Sequence, residues 1–147
     1  QIDVTYPDEA AERRMLFATT GLEDRSLKTI LSADELMMAQ RLVRQLPVGD
    51  QVVDAILKLV RSARPGTGIA QEFEDMIAWG PGPRASQALM LAVRAKAMID
   101  GRLAPSIDDV IELAEPVLKH RMALTFAARA EGLQMSDLVA KLVKPLG

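Results

Sequence analysis

Cysteine is absent from this 147-residue chain, and histidine occurs once. Disulfides and thiolate metal sites are therefore excluded, and one imidazole cannot build a zinc site alone. Aromatic residues are scarce, at three Phe, one Tyr and one Trp, although 49% of the chain is apolar. The core must be Leu, Val, Ile, Met and Ala, a palette that favours helices because straight-chain residues and Ala lose little freedom there. No charge of one sign prevails: 18 basic and 20 acidic residues leave a formal −2. Nothing global attracts nucleic acid or an anionic membrane, and the basic residues are spread rather than grouped. No apolar run approaches the roughly 18 residues that a bilayer-spanning helix needs. The start (QIDVTYPDEAAERR) is too polar for a signal peptide, so the cytoplasm is expected. Also missing are a G-x-x-x-x-G-K-[ST] phosphate loop, a G-x-S-x-G elbow and an H-E-x-x-H pair. The chain by itself is expected to hydrolyse nothing.

What is present reads as helices. The length suits one domain with a real core. Residues 1–6 alternate apolar and polar like a half-buried strand, which needs a sheet from elsewhere. Together with a start at Gln rather than Met, this suggests a piece of a longer protein. Pro7-Asp8 opens a helix that Gly21 stops. Ser32-Ala33-Asp34-Glu35 is a capping box, followed by Leu36, Met37, Ala39, Leu42, Val43 and Leu46 as one apolar side. A third helix starts near Gly49, with Val52, Val53, Ile56, Leu57 and Val60 at helical spacing, and Pro65-Gly66-Thr67-Gly68 breaks it. Residues 69–79 fit neither period. An Ala-rich helix over about 83–100 is expected at the centre, because small side chains let neighbours approach. Ser106 and Asp109 cap the next helix, which Pro116 should kink or divide. A helix over about 120–131 stops at Gly132, and a last one begins at Ser136. Seven helical segments imply an all-α bundle. The methionines, Met37 and Met38 among them, read as core fillers, and Arg13-Arg14 as a solvated helix face.

Chemistry concentrates at Gly80-Pro81-Gly82-Pro83-Arg84-Ala85-Ser86. Two Gly-Pro pairs make a rigid turn, and Pro83 suits the first position of a helix. Arg84 then stands beside free amides and the positive end of the helix dipole, which costs a cation about 0.3–1 kcal/mol. Such an arginine makes sense where an anion shares the place, as phosphates do at helix N-termini. The plainer alternative is an arginine reaching into solvent, with little penalty once screened. Trp79 reads as a packing anchor for the turn, with adenine stacking as the second choice. His120 reads as a helix-terminus residue near a carbonyl, without a catalytic partner.

Four stretches in series resemble the C-terminal lid of MoxR-type AAA+ ATPases. VTYPDEAAERRML resembles the passage from the ATPase core into the lid. WGPGPRASQALMLAVRAKAMIDGR resembles the sensor 2 region, G-x-x-P-R-A followed by an Ala-rich helix and G-R. PSIDDVIELAEPVLKHRM resembles the helix ending in V-L-x-H-R, and FAARAEGLQMSDLVAKLV the tail. Residues 22–75 match loosely, and Pro81 and Gly82 stand where the pattern often has Ala and Ser. The resemblance implies residues 1–6 as the end of a core and 7–147 as a helical lid. It implies Arg84 as the sensor 2 arginine acting with the core, with Gly82, Pro83 and Ala85 completing the nucleotide contact and no metal ligand. For the parent it implies ATP and Mg²⁺, a homo-oligomeric ring (a hexamer), and chaperone work on clients that include von Willebrand A domain proteins. Neither nucleic acid nor membrane is expected as a partner. A stand-alone helical adaptor or scaffold is the alternative, motivated by the missing catalytic motifs.

Overall fold

The Ala-rich stretch forms the longest helix and the middle of the molecule. A computed structural model describes residues 2–22, 27–67 and 71–147. Among these lie seven α-helices: α1 (Glu9–Thr20), α2 (Ala33–Gln45), α3 (Asp50–Ser62), α4 (Pro83–Ile99), α5 (Ile107–Leu118), α6 (Phe126–Ala130) and α7 (Met135–Val143). A short antiparallel ribbon pairs β1 (Ile77–Trp79) with β2 (Ala123–Leu124). The fold is the all-α bundle expected. Gln1, Gly68, residues 69–70 of the ambiguous segment and residues 23–26 of the polar stretch lie outside the described residues.

Ala85, Leu89, Val93 and Ala97 recur every fourth residue along α4 and are all fully buried. The first three meet Ile56, Leu59 and Val60 of α3, Val110, Ala114 and Leu118 of α5, and Leu138, Val139 and Leu142 of α7 in one continuous core. Alanines at both ends of the stripe keep its profile low, so α3 and α5 can close on α4 from two sides.

The hinge between α4 and α5 is pinned. Gly101 (φ +72°) ends α4, and the Arg102 amide donates back to the Ala97 carbonyl at 2.7 Å. The Arg102 guanidinium then grips Asp109 through two bonds of 2.8 and 2.7 Å. Asp109 is only 3% exposed and also accepts the Ser106 amide at 2.7 Å, so the expected cap exists and is shared with an ion pair. Arg102 holds the Asp109 carboxyl below the usual carboxylate range, against the opposing effect of burial.

Several local expectations are corrected. Of the strand expected over residues 1–6, residues 2–6 are described and form none, because no partner strand among the described residues pairs with them. The helix expected over 120–131 is instead β2 followed by α6. Met122 and Leu124 are buried at alternate positions, and Thr125 begins α6 by accepting the Ala128 amide at 3.3 Å. Pro116 does not divide α5, which runs on to Leu118; in the last turn a proline removes only one bond. The segment after position 70 is a 3₁₀ turn, Gln71–Met76, leading into β1. On α2 only Val43 is buried, while Leu36, Met37, Met38 and Leu42 stay about half exposed or more, so Met37 and Met38 are not core residues. Leu57 likewise faces outward on α3. No helix of the described residues is long and apolar enough to cross a membrane.

Candidate functional site

The turn that opens α4 is built against the end of α3. Gly80 lies so close to that end that a Cβ there would sit 2.2 Å from the Ala63 carbonyl oxygen and 2.8 Å from the Arg64 Cα. Only a residue without a side chain fits. Pro81 is fully buried, and its carbonyl accepts the Arg64 Nε at 2.8 Å. Gly82 is the N-cap residue and offers no side-chain cap, and Pro83 occupies the first turn as expected.

Arg84 follows, exposed, in the first turn of α4, which carries no acidic residue. No ion pair or hydrogen bond from its guanidinium to any described residue is formed. Ala85 points the other way: its side chain is fully buried and its amide donates to the Gly82 carbonyl at 2.9 Å. The four predicted site residues thus divide by task. Gly82 and Pro83 shape the turn, Ala85 seats the helix in the core, and Arg84 is the one charged group offered to solvent.

Beyond the Arg102–Asp109 pin α5 turns back along α4, with Lys96 reaching Glu112 at 3.3 Å, and ends at Leu118. Lys119 pairs there with Asp3 and, at 3.6 Å, with Glu115. The bond to Asp3 chiefly raises the Lys119 ammonium above its ordinary pKa. His120 interacts with the Pro116 carbonyl, so the expected nearby carbonyl is present, and its Nε2 faces the Arg121 guanidinium. Desolvation first, and the Arg121 charge second, lower its pKa, which favours the neutral ring with Nε2 as acceptor. Arg121 also donates to the Val117 carbonyl at 2.7 Å. These groups satisfy one another, in contrast to Arg84.

Trp79 is 53% exposed, so it does not anchor the turn from within. It forms one wall of an open groove of about 610 Å³, shared with Ala123, Arg129, Leu133, Gln134 and Met135. No group of three or more His, Asp or Glu that could hold a metal ion occurs among the described residues. Sequence reasoning missed Arg64 altogether. A lone arginine just before Pro65-Gly66 looks like a helix end, and only the fold brings it to a turn 17 residues later.

The AAA lid domain family model matches residues 69–142. Chaperone MoxR1 of Mycobacterium tuberculosis is 28% identical over 145 residues, which is 98% of this chain and 38% of that protein. The uncharacterized protein YeaC of Bacillus subtilis is 28% identical over 118 residues, covering 80% of this chain and 34% of its own length. The crystal structure of a candidate ATPase from Cytophaga hutchinsonii superposes with a TM-score of 0.84 over 96% of this chain and 43% of that one, at 22% identity, which shows a shared fold. The chain spans less than half the length of each of these relatives.

Proposed function

The chain belongs to the AAA lid domain family, and from that premise we propose that it is the C-terminal lid of a MoxR-type AAA+ ATPase, with Arg84 as the sensor 2 arginine. The observation that carries this reading is an exposed guanidinium at the positive end of α4 without a counter-charge among the described residues. Left alone, that placement is mildly unfavourable. A phosphate presented by a neighbouring module reverses the sign, since the guanidinium and the helix end then act on one anion.

Nucleotide fits this chain at a single kind of contact, arginine to phosphate. ATP supplies the terminal phosphate when bound, and Mg²⁺ would be held by the rest of the parent polypeptide. Arg84 would add one cationic donor where charge develops during phosphoryl transfer. Loss of that phosphate would leave Arg84 unpaired and bias the position of the lid against the core, an orientation switch driven by local charge. Pro83 and Gly82 hold the approach open, and Ala85 keeps the helix start fixed in the bundle.

In this reading residues 1–6 close the ATPase core and 7–147 form the lid. The parent acts in the cytoplasm as a homo-oligomeric ring, a hexamer, which remodels or matures client proteins, including partners with von Willebrand A domains. The chaperone name of the mycobacterial relative supports the remodelling role.

The test is Arg84→Ala in the full-length polypeptide. ATP turnover is expected to fall by about 100-fold, the scale of losing one preorganised donor at a transition state. Thermal unfolding of the lid should not move, because the side chain is exposed and forms no hydrogen bond or ion pair with the described residues. Turnover equal to that of the unsubstituted protein removes Arg84 from the nucleotide.

A further inference from the structure

Arg84 can meet a phosphate only if the turn beneath it holds one orientation, and the two prolines leave Gly82 as the one residue between them with no side chain to fix it. Its N-cap residue is Gly82, which makes no side-chain cap. The space beside Gly82 is open as well: a Cβ built there meets nothing within 4 Å. Pro83 narrows the range of Gly82, yet a glycine there keeps more backbone freedom than any other residue would. A further restraint comes from the end of α3.

We infer that Arg64 is a positioning residue for Arg84, acting through the Pro81 carbonyl; this rests on the reading of Arg84 as the nucleotide-facing group. Arg64 touches the turn twice. Its Cα lies under Gly80, where no side chain fits, and its Nε donates to the Pro81 oxygen at 2.8 Å. That oxygen belongs to the peptide leading into Gly82, so the bond sets the plane from which α4 begins. Arg64 is itself fixed, since its amide donates to the Arg61 carbonyl at 3.1 Å and its carbonyl accepts the Thr67 hydroxyl at 3.0 Å. The bond is partly buried and charge-assisted, which makes it a firmer restraint than a neutral bond in water. No carboxylate among the described residues forms an ion pair with Arg64, so the carbonyl is its defined partner. The chain thus fixes the turn at three successive points: Gly80 by close approach, Pro81 by burial, and the Pro81 oxygen by Arg64.

Two near-isosteric substitutions separate positioning from charge. In Arg64→Gln the amide nitrogen stands at the same place along the side chain as Nε, so the donor remains and the charge is lost. Arg64→Met keeps the apolar stem and removes the donor. Both are made in the full-length ATPase, together with Arg84→Ala and the Arg64→Met/Arg84→Ala double variant. Arg64→Met is expected to lower kcat at least about tenfold, because small displacements of a catalytic group cost that much or more. Arg64→Gln should stay within about threefold of the parent, and the double variant should be no slower than Arg84→Ala alone. Equal losses for Gln and Met would overturn the inference by making the Arg64 charge the active feature. Multiplying losses in the double variant would overturn it by showing that Arg64 acts independently of Arg84. A Met variant that does not fold at the assay temperature also overturns it, assigning the bond to the bundle as a whole. Full turnover in Arg84→Ala defeats the underlying reading itself, whereas a normal Arg64→Met beside an impaired Arg84→Ala defeats the positioning role alone.

Discussion

At the scale of single residues, the two glycines of the turn have opposite standing. Gly80 packs against the α3 backbone, and a methyl group there would overlap the Ala63 carbonyl at 2.2 Å. Backbone is the wrong kind of neighbour to give way, so Gly80→Ala should destabilise the chain by about 3 kcal/mol, the upper range for overpacking. Gly82 faces open space with φ −77°, an angle that any residue adopts. Gly82→Ser should therefore change stability by only a few tenths of a kcal/mol, in the stabilising direction, since serine caps a helix slightly better than glycine. Urea unfolding of both variants checks the pair, and equal effects would mean the turn is not seated on α3 as described. Neither glycine can be graded from the sequence, where both appear as members of one Gly-Pro repeat.

Between elements, the Arg102–Asp109 pair does for the α4–α5 junction what Arg64 does for the turn. Asp109 is buried, whereas Arg102 keeps 37% of its side chain exposed, so part of the interaction is screened by water. Asp109→Asn should cost about 2 kcal/mol, below the roughly 3–5 kcal/mol of breaking a fully buried pair. The pH dependence follows from the lowered Asp109 pKa. The folded state holds the deprotonated form more strongly than the unfolded state does. The stabilisation is complete above the ordinary carboxylate pKa of about 4 and is lost as pH falls below it, through the folded value. An acid titration followed by circular dichroism should show this loss in the parent chain and a flatter profile in Asp109→Asn. Coincident profiles would assign the acid sensitivity to other carboxylates.

For the whole molecule, the packing divides the chain unevenly. α1 buries no residue, and Met15, Leu16 and Phe17 stay exposed, while α3, α4, α5 and α7 share the core. The Lys119–Asp3 pair joins the N-terminal segment to the bundle, and pairs this exposed are typically worth about 0–1 kcal/mol. Deleting residues 1–30 should accordingly lower stability by less than about 1 kcal/mol and leave the Ser32 cap of α2 intact. Calorimetry on the truncated chain tests this, and a large loss in melting temperature would place α1 inside the cooperative unit. The exposed apolar side of α2 belongs to the same picture: helical periodicity shows that a face is apolar, but not that this chain covers it.

The sequence by itself determined the helical class, the positions of α3, α4, α5 and α7, and the presentation of Arg84. Those depend on local signals: apolar spacing, a capping box, a proline at a helix start and glycine stops, each acting within a few residues. Tertiary structure alone decided that residues 123–124 pair with 77–79, so that a stretch with helical composition became a strand and a short helix. It also decided that Arg64 reaches Pro81 and that Met37 and Met38 remain outside the core. The reason is common to all three. Each depends on which surfaces meet after the chain has folded back on itself, and short-range patterns carry no information about partners far away in the chain.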